Sequence, residues 1–307
     1  MSSCTAEFLA SAGRQYVRHG PGSLGKPWLA AKYLNPYLRD CPRRCIVRTR
    51  FGADVAVDTQ DLIQRYIYMF GTWEPHMTRW LSRRLRHGDT FVDVGANIGY
   101  FSLLAARLVG SSGRVVAIEA SPAFHRSVLA NLQRNACPNV RAVNTAVSDA
   151  EGALRFTLAS SHNMGANSIV PYDGPAESSF EAQALPLTGL LTAAEIATAR
   201  VIKVDVEGAE GSVVRGMVPL LDQLRPDVEV TVEVTPERMA RLGDSVEELL
   251  AIMRDYGFHA YRQPNDYAPE SYPAALRHAG APLARVRETV VEESDLVFSH
   301  VDADVLP

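Results

Sequence analysis

The chain has 307 residues, of which 47% are hydrophobic, enough for one large domain or one domain with an accessory segment. Its 31 Lys and Arg residues face 35 Asp and Glu residues, which argues against nucleic acid as the default partner. The sequence shows no run of about 18 apolar residues, no signal peptide and no cysteine spacing typical of zinc. We therefore expect a cytoplasmic protein with no membrane partner and no metal; a homo-oligomer is compatible with the sequence.

The N-terminal part of the chain, residues 1–73, is predicted to be an accessory segment that precedes the main domain, residues 74–307. It opens with a Gly- and Pro-punctuated stretch that is predicted to be irregular or helical. Residues 45–58 then alternate apolar and polar side chains around a Phe-Gly-Ala-Asp turn, which is typical of a hairpin. Helical spacing predicts one helix over residues 61–70 and another that starts at Pro75.

From residue 90 onwards, short apolar strands alternate with helices of 10–15 residues. This alternation predicts an α/β fold with a doubly wound, mostly parallel, seven-stranded Rossmann-like sheet. Two segments rich in Gly, Ser, Asn and Pro, 148–190 and 263–292, interrupt it and are expected to be binding loops. The predicted strands are 90–94, 114–120, 139–147, 199–206, 227–234, 257–263 and 294–301.

A glycine-rich turn, residues 93–99 (DVGANIG), lies between a predicted strand and a predicted helix. Its G-x-N-x-G spacing differs from the G-x-G-x-x-G of dinucleotide sites, and the carboxylate of Asp93 would repel a pyrophosphate. S-adenosylmethionine (SAM) carries an ammonium and a sulfonium but no phosphate. We therefore predict that Asp93 contacts SAM; the alternative is that Asp93 only caps or braces the loop.

Further cofactor contacts are expected at the ends of the next two strands. Glu119 follows the glycine turn by about 20 residues, where an acidic residue binds two ribose hydroxyls in this fold class. Ser148 and Asp149 follow the third strand and are expected to border the adenine; a turn-forming role is the alternative for Asp149. The predicted cofactor-binding residues are Asp93, Gly95, Ala96, Asn97, Gly99, Glu119, Ala120, Ser148, Asp149 and Asp205.

These motifs resemble the FkbM family of SAM-dependent methyltransferases. The resemblance covers roughly residues 50–235, and the first 45 residues have no match. It implies a class I methyltransferase with a small N-terminal extension that methylates a hydroxyl of a small molecule, a natural product or a glycan, without fixing the acceptor. The matching stretches are DLIQRYIYMFGTWEP (61–75), GDTFVDVGANIGYFSLLAA (88–106), Glu119 within AIEASP, and IKVDVEGAE (202–210).

The end of the fourth strand reads Asp-Val-Glu-Gly at residues 205–208, where enzymes that methylate nucleobase amines usually carry an Asn/Asp-Pro-Pro-aromatic motif. This difference argues against an exocyclic amine as the acceptor. Asp205, His162 and Glu233 are the candidate bases that would take the proton of an acceptor hydroxyl. A magnesium site formed by Asp205, Glu207 and Glu233 is the less favoured alternative.

Three residues are candidates for contact with the acceptor: Tyr66, Glu74 and Glu207. The aromatic residues that precede the main domain are otherwise expected to pack its N-terminal segment. Glu210 is expected to brace the start of the following helix, because helix N-termini favour acids.

Three other functions stay open on this sequence. An NAD(P)-dependent oxidoreductase on a similar fold would bind NADH instead of SAM. A non-catalytic relative would bind SAM or a partner protein without turnover. An RNA methyltransferase is disfavoured by the net acidity of the chain and by the lack of an appended RNA-binding module.

Overall fold

A computed structural model of the protein describes residues 3–158, 169–170, 178–278 and 280–306. Contacts divide the chain into two compact units. The first contains the described chain up to Arg79 together with Asn265–Ala281, and the second contains the other described residues from Trp80 onwards. The division predicted from the sequence, 1–73 and 74–307, stays a prediction.

The first unit contains a helical N-terminus, a hairpin and a cluster of aromatic rings. The predicted hairpin is confirmed, with Val47 of one strand opposite Val55 of the other. The predicted helix over 61–70 is confirmed as well: Asp61 caps it, and Gly71 ends it in the left-handed conformation. The elements of this part are helices α1 (Ser3–His19), α2 (Lys26–Trp28), α3 (Asn35–Asp40) and α4 (Leu62–Phe70), a π-helix (Leu29–Leu34), and strands β1 (Arg44–Arg48) and β2 (Asp54–Asp58).

The second unit is built on a nine-stranded sheet of order β14-β12-β11-β13-β10-β9-β3-β4-β5. Strands β5, β4, β3, β9 and β10 are parallel, whereas β13 is antiparallel to both β10 and β11. The strands are β3 (Thr90–Val94), β4 (Arg114–Ile118), β5 (Val140–Val143), β6 (Ala146–Val147), β7 (Gly152–Leu158), β8 (Ser178–Leu185), β9 (Ala199–Val204), β10 (Glu229–Val234), β11 (His259–Gln263), β12 (Leu283–Arg285), β13 (Ser294–Ser299) and β14 (Val305–Leu306).

The predicted doubly wound α/β sheet is confirmed. The chain runs from β3 outwards to β4 and β5, and then returns to build β9 and β10 on the other side of β3. The topological switch therefore lies between β3 and β9, where ligands bind in such sheets. The sheet has nine strands instead of the predicted seven, because the short strands β12 and β14 continue it beyond β11.

Helices follow most of the strands and cover the sheet, so that β3, β9 and β10 are almost entirely buried, as expected for parallel strands. Within the described ranges, no helix is long and apolar enough to cross a membrane. The remaining helices of the chain are α5 (Pro75–Arg84), α6 (Tyr100–Val109), α7 (Pro122–Arg134), α8 (Leu187–Leu190), α9 (Ala193–Thr198), α10 (Glu210–Leu221), α11 (Pro236–Arg241), α12 (Val246–Asp255) and α13 (Tyr272–Ala275).

The prediction of one third strand over residues 139–147 is wrong. The chain leaves the main sheet after β5, because the side chain of Asn144 donates to the carbonyls of Glu119 and Ala120. It then enters a separate three-stranded sheet of order β6-β8-β7. The predicted loop over 148–190 therefore contains the antiparallel strands β7 and β8, and its residues 159–168 and 171–177 lie outside the described residues.

Candidate functional site

The carboxyl ends of β3, β4 and β9 meet at the glycine turn. The amides of Gly95 and Ala96 donate to the carbonyl of Ile118 at the end of β4. The amide of Asp205, just after β9, donates to the carbonyl of Val94 at 3.0 Å. These bonds join the three strand ends at the topological switch, and they place most of the predicted cofactor residues at one edge of the sheet.

Gly95 cannot be replaced by a residue with a side chain without moving the backbone. Its φ is +85°, and a Cβ at this position would lie 1.8 Å from the carbonyl oxygen of Asp205. Asn97, two residues on, also has a positive φ of 54°, which non-glycine residues adopt rarely and at some cost. Glycine supplies the positive φ of position 95 at no steric cost, whereas Asn97 is held in a conformation that it adopts less readily.

Asp93 is buried at the end of β3. Its Oδ2 accepts a hydrogen bond from the Ser102 hydroxyl at 2.5 Å. Its Oδ1 is also buried and accepts no hydrogen bond from the described residues, and the same is true of Oδ1 of Asn97. Burial raises the pKa of Asp93, while the ammonium of Lys203 opposes that shift. A donor or cation supplied by a ligand would satisfy the orphaned oxygen of Asp93.

Glu119 connects the end of β4 to the glycine turn. One of its carboxylate oxygens accepts from the amide of Asn97 at 2.7 Å, and the other accepts from the amide of Ser121 at 2.8 Å. Burial raises its pKa to about 7 despite these two bonds. An ionised carboxylate has about four acceptor positions, so two remain for hydroxyl donors such as those of a ribose.

Asp205 forms an ion pair with Lys203, a residue that sequence reasoning missed. The Lys203 ammonium lies 2.7 Å from Oδ2 of Asp205 and 5.2 Å from the centre of the Phe101 ring. Lys203 is buried, and it lies opposite Asp93 in the register of β3 and β9. A buried lysine inside a parallel strand is seldom left unpaired, and that was the signal available in the sequence.

Glu233 completes this group from the adjacent strand β10. Its side chain lies close enough to that of Asp205 to donate a hydrogen bond when Glu233 is protonated. Burial alone would raise the pKa of Asp205, but the charge of Lys203 and the hydrogen bonds from Glu233 and Lys203 lower it below the usual value. The structure thus brings two of the three candidate bases together, and it keeps the Asp205 carboxylate ionised. The third candidate, His162, lies outside the described residues.

Glu207 and Glu210 have structural partners at the start of α10. Glu207 has a positive φ of 61° and forms an ion pair with Arg238. Glu210 accepts hydrogen bonds from the amides of Val206 and Gly208, which agrees with its expected bracing role, and burial raises its pKa to about 7. Within the part of the chain that the structure describes, no cluster of three or more His, Cys, Asp or Glu residues could hold a metal ion.

The residues predicted to border the adenine lie where the chain enters the three-stranded sheet. The Asp149 carboxylate is paired with Arg215 of α10 at 3.0 Å and accepts from the Ser148 hydroxyl at 3.3 Å. Ala120 packs against the small apolar cluster that contains Ala146 and Phe156. The Asp149 carboxylate thus already has a cationic partner. Their roles in cofactor binding stay predictions.

Tyr66 and Glu74 belong to the aromatic cluster of the first unit. The ring of Tyr66 is fully buried and meets Tyr272 edge to face at 4.9 Å, and its hydroxyl donates to the carbonyl of Tyr267 at 2.7 Å. Glu74 is buried as well, has a φ of 39°, and accepts from the hydroxyl of Tyr267. These contacts give Tyr66 and Glu74 a packing role, and contact with an acceptor stays a prediction.

Comparison with known proteins identifies the family of the second unit. The family model described as the methyltransferase FkbM domain matches residues 93–260, which is more than half of the chain. Among curated proteins, protein-L-isoaspartate O-methyltransferase 2 of Archaeoglobus fulgidus is 31% identical over 108 residues. That alignment covers 34% of this chain and 48% of the relative, so the chain matches about half the length of that protein.

Two solved structures are similar in fold. The FkbM methyltransferase of Methylobacillus flagellatus KT has a TM-score of 0.43 and 15% identity, over 77% of this chain and 52% of that chain. A SAM-dependent O-methyltransferase of Thermotoga maritima has a TM-score of 0.38 and 16% identity, over 83% of this chain and 76% of that chain. Likenesses this weak carry no argument about the substrate.

Proposed function

The chain belongs to the FkbM family of SAM-dependent methyltransferases, and from this premise we propose that it methylates a hydroxyl oxygen of a small molecule, such as a natural product or a glycan. The observation that carries the proposal is the carboxylate of Asp205, which lies just after β9 at the glycine turn and 2.7 Å from the Lys203 ammonium. A hydroxyl must lose its proton to become an ether oxygen, so its methylation gains from a fixed proton acceptor.

Two observations support the binding of SAM by residues of this chain. The orphaned oxygen of Asp93 lies next to the turn where the ammonium of SAM is expected, and Glu119 keeps free acceptor positions for the ribose. SAM, when bound, supplies an electrophilic methyl carbon on a sulfonium. The sulfonium charge would suit an edge that already carries the carboxylates of Asp93 and Asp205.

In the proposed mechanism, Asp205 accepts a hydrogen bond from the acceptor hydroxyl and takes its proton as the hydroxyl oxygen becomes positively charged. Such a proton is highly acidic, so a carboxylate with a lowered pKa is a sufficient base. Lys203 holds the carboxylate in position through their ion pair, and Glu233 is a second neighbour of the same carboxylate. Correct positioning of the reactants is expected to contribute on the order of 7–11 kcal/mol.

Calorimetric titration with S-adenosylhomocysteine (SAH), beside NADH, tests the cofactor. We expect micromolar binding of SAH and no binding of NADH, with at least about tenfold weaker SAH binding in Asp93→Asn. The matched control is Ser102→Ala, which removes only the internal partner of Asp93. Equal losses in both variants would mean that Asp93 merely braces the loop, and binding of NADH alone would reject the proposed function.

Incubation with radiolabelled SAM and a panel of hydroxylated, amino and RNA acceptors tests the reaction itself. The expected result is label in a hydroxylated small molecule as a base-stable ether. Label confined to amines or to RNA, with normal SAH binding, would refute O-methylation but leave the family assignment intact.

Lowering the pH from about 8 to about 6 is expected to weaken SAH binding by up to about tenfold. The pKa of Glu119 is about 7, and its protonated carboxyl accepts fewer hydrogen bonds from the ribose. The same change is expected to raise the melting temperature of the ligand-free protein. Burial makes Glu119 and Glu210 bind a proton more tightly in the folded than in the unfolded chain, where the usual pKa is 4.5.

Calorimetry and thermal unfolding at both pH values measure these two opposite trends. Glu119→Gln, which cannot ionise, should lose most of the pH dependence of SAH binding. An unchanged dependence in that variant would show that another group controls the affinity.

A further inference from the structure

Two segments of the second unit meet beyond the carboxyl ends of β9 and β10. Residues 205–208 follow β9, whereas residues 235–238 follow β10 and include the start of α11. The two strands are parallel neighbours, so Asp205 and Glu233 lie side by side where these strands end. The contact between the two segments is therefore next to the proposed base.

Arg238 makes this contact in two ways. Its guanidinium forms an ion pair with the Glu207 carboxylate, and the two side chains are only partly exposed. Its main chain also packs closely on Gly208. A Cβ built at position 208 would lie 2.9 Å from the Cβ of Arg238 and 2.8 Å from Cγ2 of Val170. A side chain at this position would therefore collide with both neighbours.

The backbone at Glu207 is in a conformation that surrounding contacts have to maintain. Its φ of 61° lies in the left-handed region, which residues with a side chain adopt rarely. The ion pair with Arg238 is one such contact, and the hydrogen bonds that Glu210 accepts nearby are others. A partly exposed ion pair adds little to the stability of a whole domain. Its effect is therefore expected to be local, on the backbone that continues directly from Asp205.

The charge of Arg238 acts on Asp205 as well. Burial raises the pKa of the Asp205 carboxyl, the charge of Lys203 is the largest opposing effect, and the charge of Arg238 lowers the pKa further. Lys203 belongs to β9 itself, whereas Arg238 belongs to the helix that follows β10. Arg238 is thus linked to the proposed base through the backbone of residues 205–208 and through its charge.

We propose that Arg238 is a positioning residue of the methyl transfer: through Glu207 it fixes residues 205–208, and with them the direction of the Asp205 carboxylate. The inference rests on the proposed function, in which Asp205 takes the proton of the acceptor hydroxyl. A displacement of about 1 Å at a catalytic group can cost on the order of 10²-fold in rate. Because Arg238 acts through Glu207, its loss should lower kcat and leave the affinity for SAH nearly unchanged.

Hydrogen exchange followed by mass spectrometry tests the position of the segment without any acceptor. In Arg238→Gln, a peptide that spans residues 202–210 is expected to exchange about threefold faster or more, whereas residues 100–109 of α6 should exchange as in the wild type. The matched control is Arg241→Gln, which removes an exposed arginine of the same helix that pairs with Glu237. Unchanged exchange in Arg238→Gln would overturn the proposal, whatever the acceptor is.

Turnover with the best acceptor is the second readout. Arg238→Gln is expected to lower kcat by about tenfold to a hundredfold, with normal melting temperature and SAH affinity, and Arg238→Lys should restore most of it. Glu207→Gln should match Arg238→Gln, and the double variant should be no worse than either, because both changes break one ion pair. Losses that multiply in the double variant, or an equal loss in Arg241→Gln, would overturn the proposal. A wild type that methylates no hydroxyl would refute the proposed function, while hydrogen exchange would still decide whether Arg238 fixes the segment.

Discussion

Asp205→Asn is expected to lower kcat by about 10²–10⁴-fold, because asparagine can orient an acceptor hydroxyl but cannot take its proton. SAH lacks the sulfonium charge, so its affinity should change little. Turnover with the best acceptor and calorimetry with SAH measure the two effects separately. Glu237→Gln is the matched control, since it neutralises an exposed carboxylate of the same unit.

Lys203 gives this prediction a second readout. Lys203→Met removes the cation 2.7 Å from Asp205, so the pKa of that carboxyl should rise and the acid limb of the kcat profile should move to higher pH. Lys203→Arg keeps the charge and should restore part of the activity. If Asp205→Asn keeps full turnover, or if Lys203→Met lowers kcat without moving the profile, Asp205 is not the base.

Gly95→Ala is expected to abolish measurable SAH binding and to lower the free energy of unfolding by about 2 kcal/mol or more. The added methyl group would overlap the carbonyl oxygen of Asp205, and alanine resists the positive φ of this position. The strand ends of β3 and β9 would have to separate, and this moves the cofactor turn and the proposed base together. Thermal unfolding and calorimetry measure the two losses.

Gly189→Ala is the matched control for this change. No atom lies within 4 Å of a Cβ built at Gly189, and its φ is not in the left-handed region, so the variant should be neutral in stability and in SAH binding. A Gly95→Ala protein with normal stability and affinity would mean that the close approach of the two strand ends has no functional importance.

Local signals in the sequence were sufficient for most of the fold. Ser121 accepts a hydrogen bond from the amide of Phe124 and caps α7, as its position before Pro122 predicted. The glycine turn follows β3 and precedes α6, and Glu119 ends β4, as the spacing of these motifs predicted. Such features depend on residues that are close together in the chain, within one helical turn or one strand, so they can be recognised from the sequence.

Contacts between residues that lie far apart in the chain could not be predicted from the sequence. Arg215 pairs with Asp149, 66 residues away, and periodicity contains no information about such a partner. The departure from the main sheet after β5 was missed for a similar reason: apolar alternation continues across Asn144, although the strands on either side belong to different sheets. Residues 265–281 join the first unit, whereas their sequence shows only an irregular segment.

The buried acids at the strand ends have a consequence for how this protein can evolve. Burial raises the pKa of Asp93, Glu119 and Glu210, and Oδ1 of Asp93 accepts no hydrogen bond from the described residues. Asparagine at position 93 would keep an acceptor for the Ser102 hydroxyl and remove a buried charge, so this replacement should stabilise the fold and weaken the cofactor site. Selection for heat tolerance alone would therefore favour loss of the Asp93 carboxylate, and selection for methyltransferase activity would preserve it.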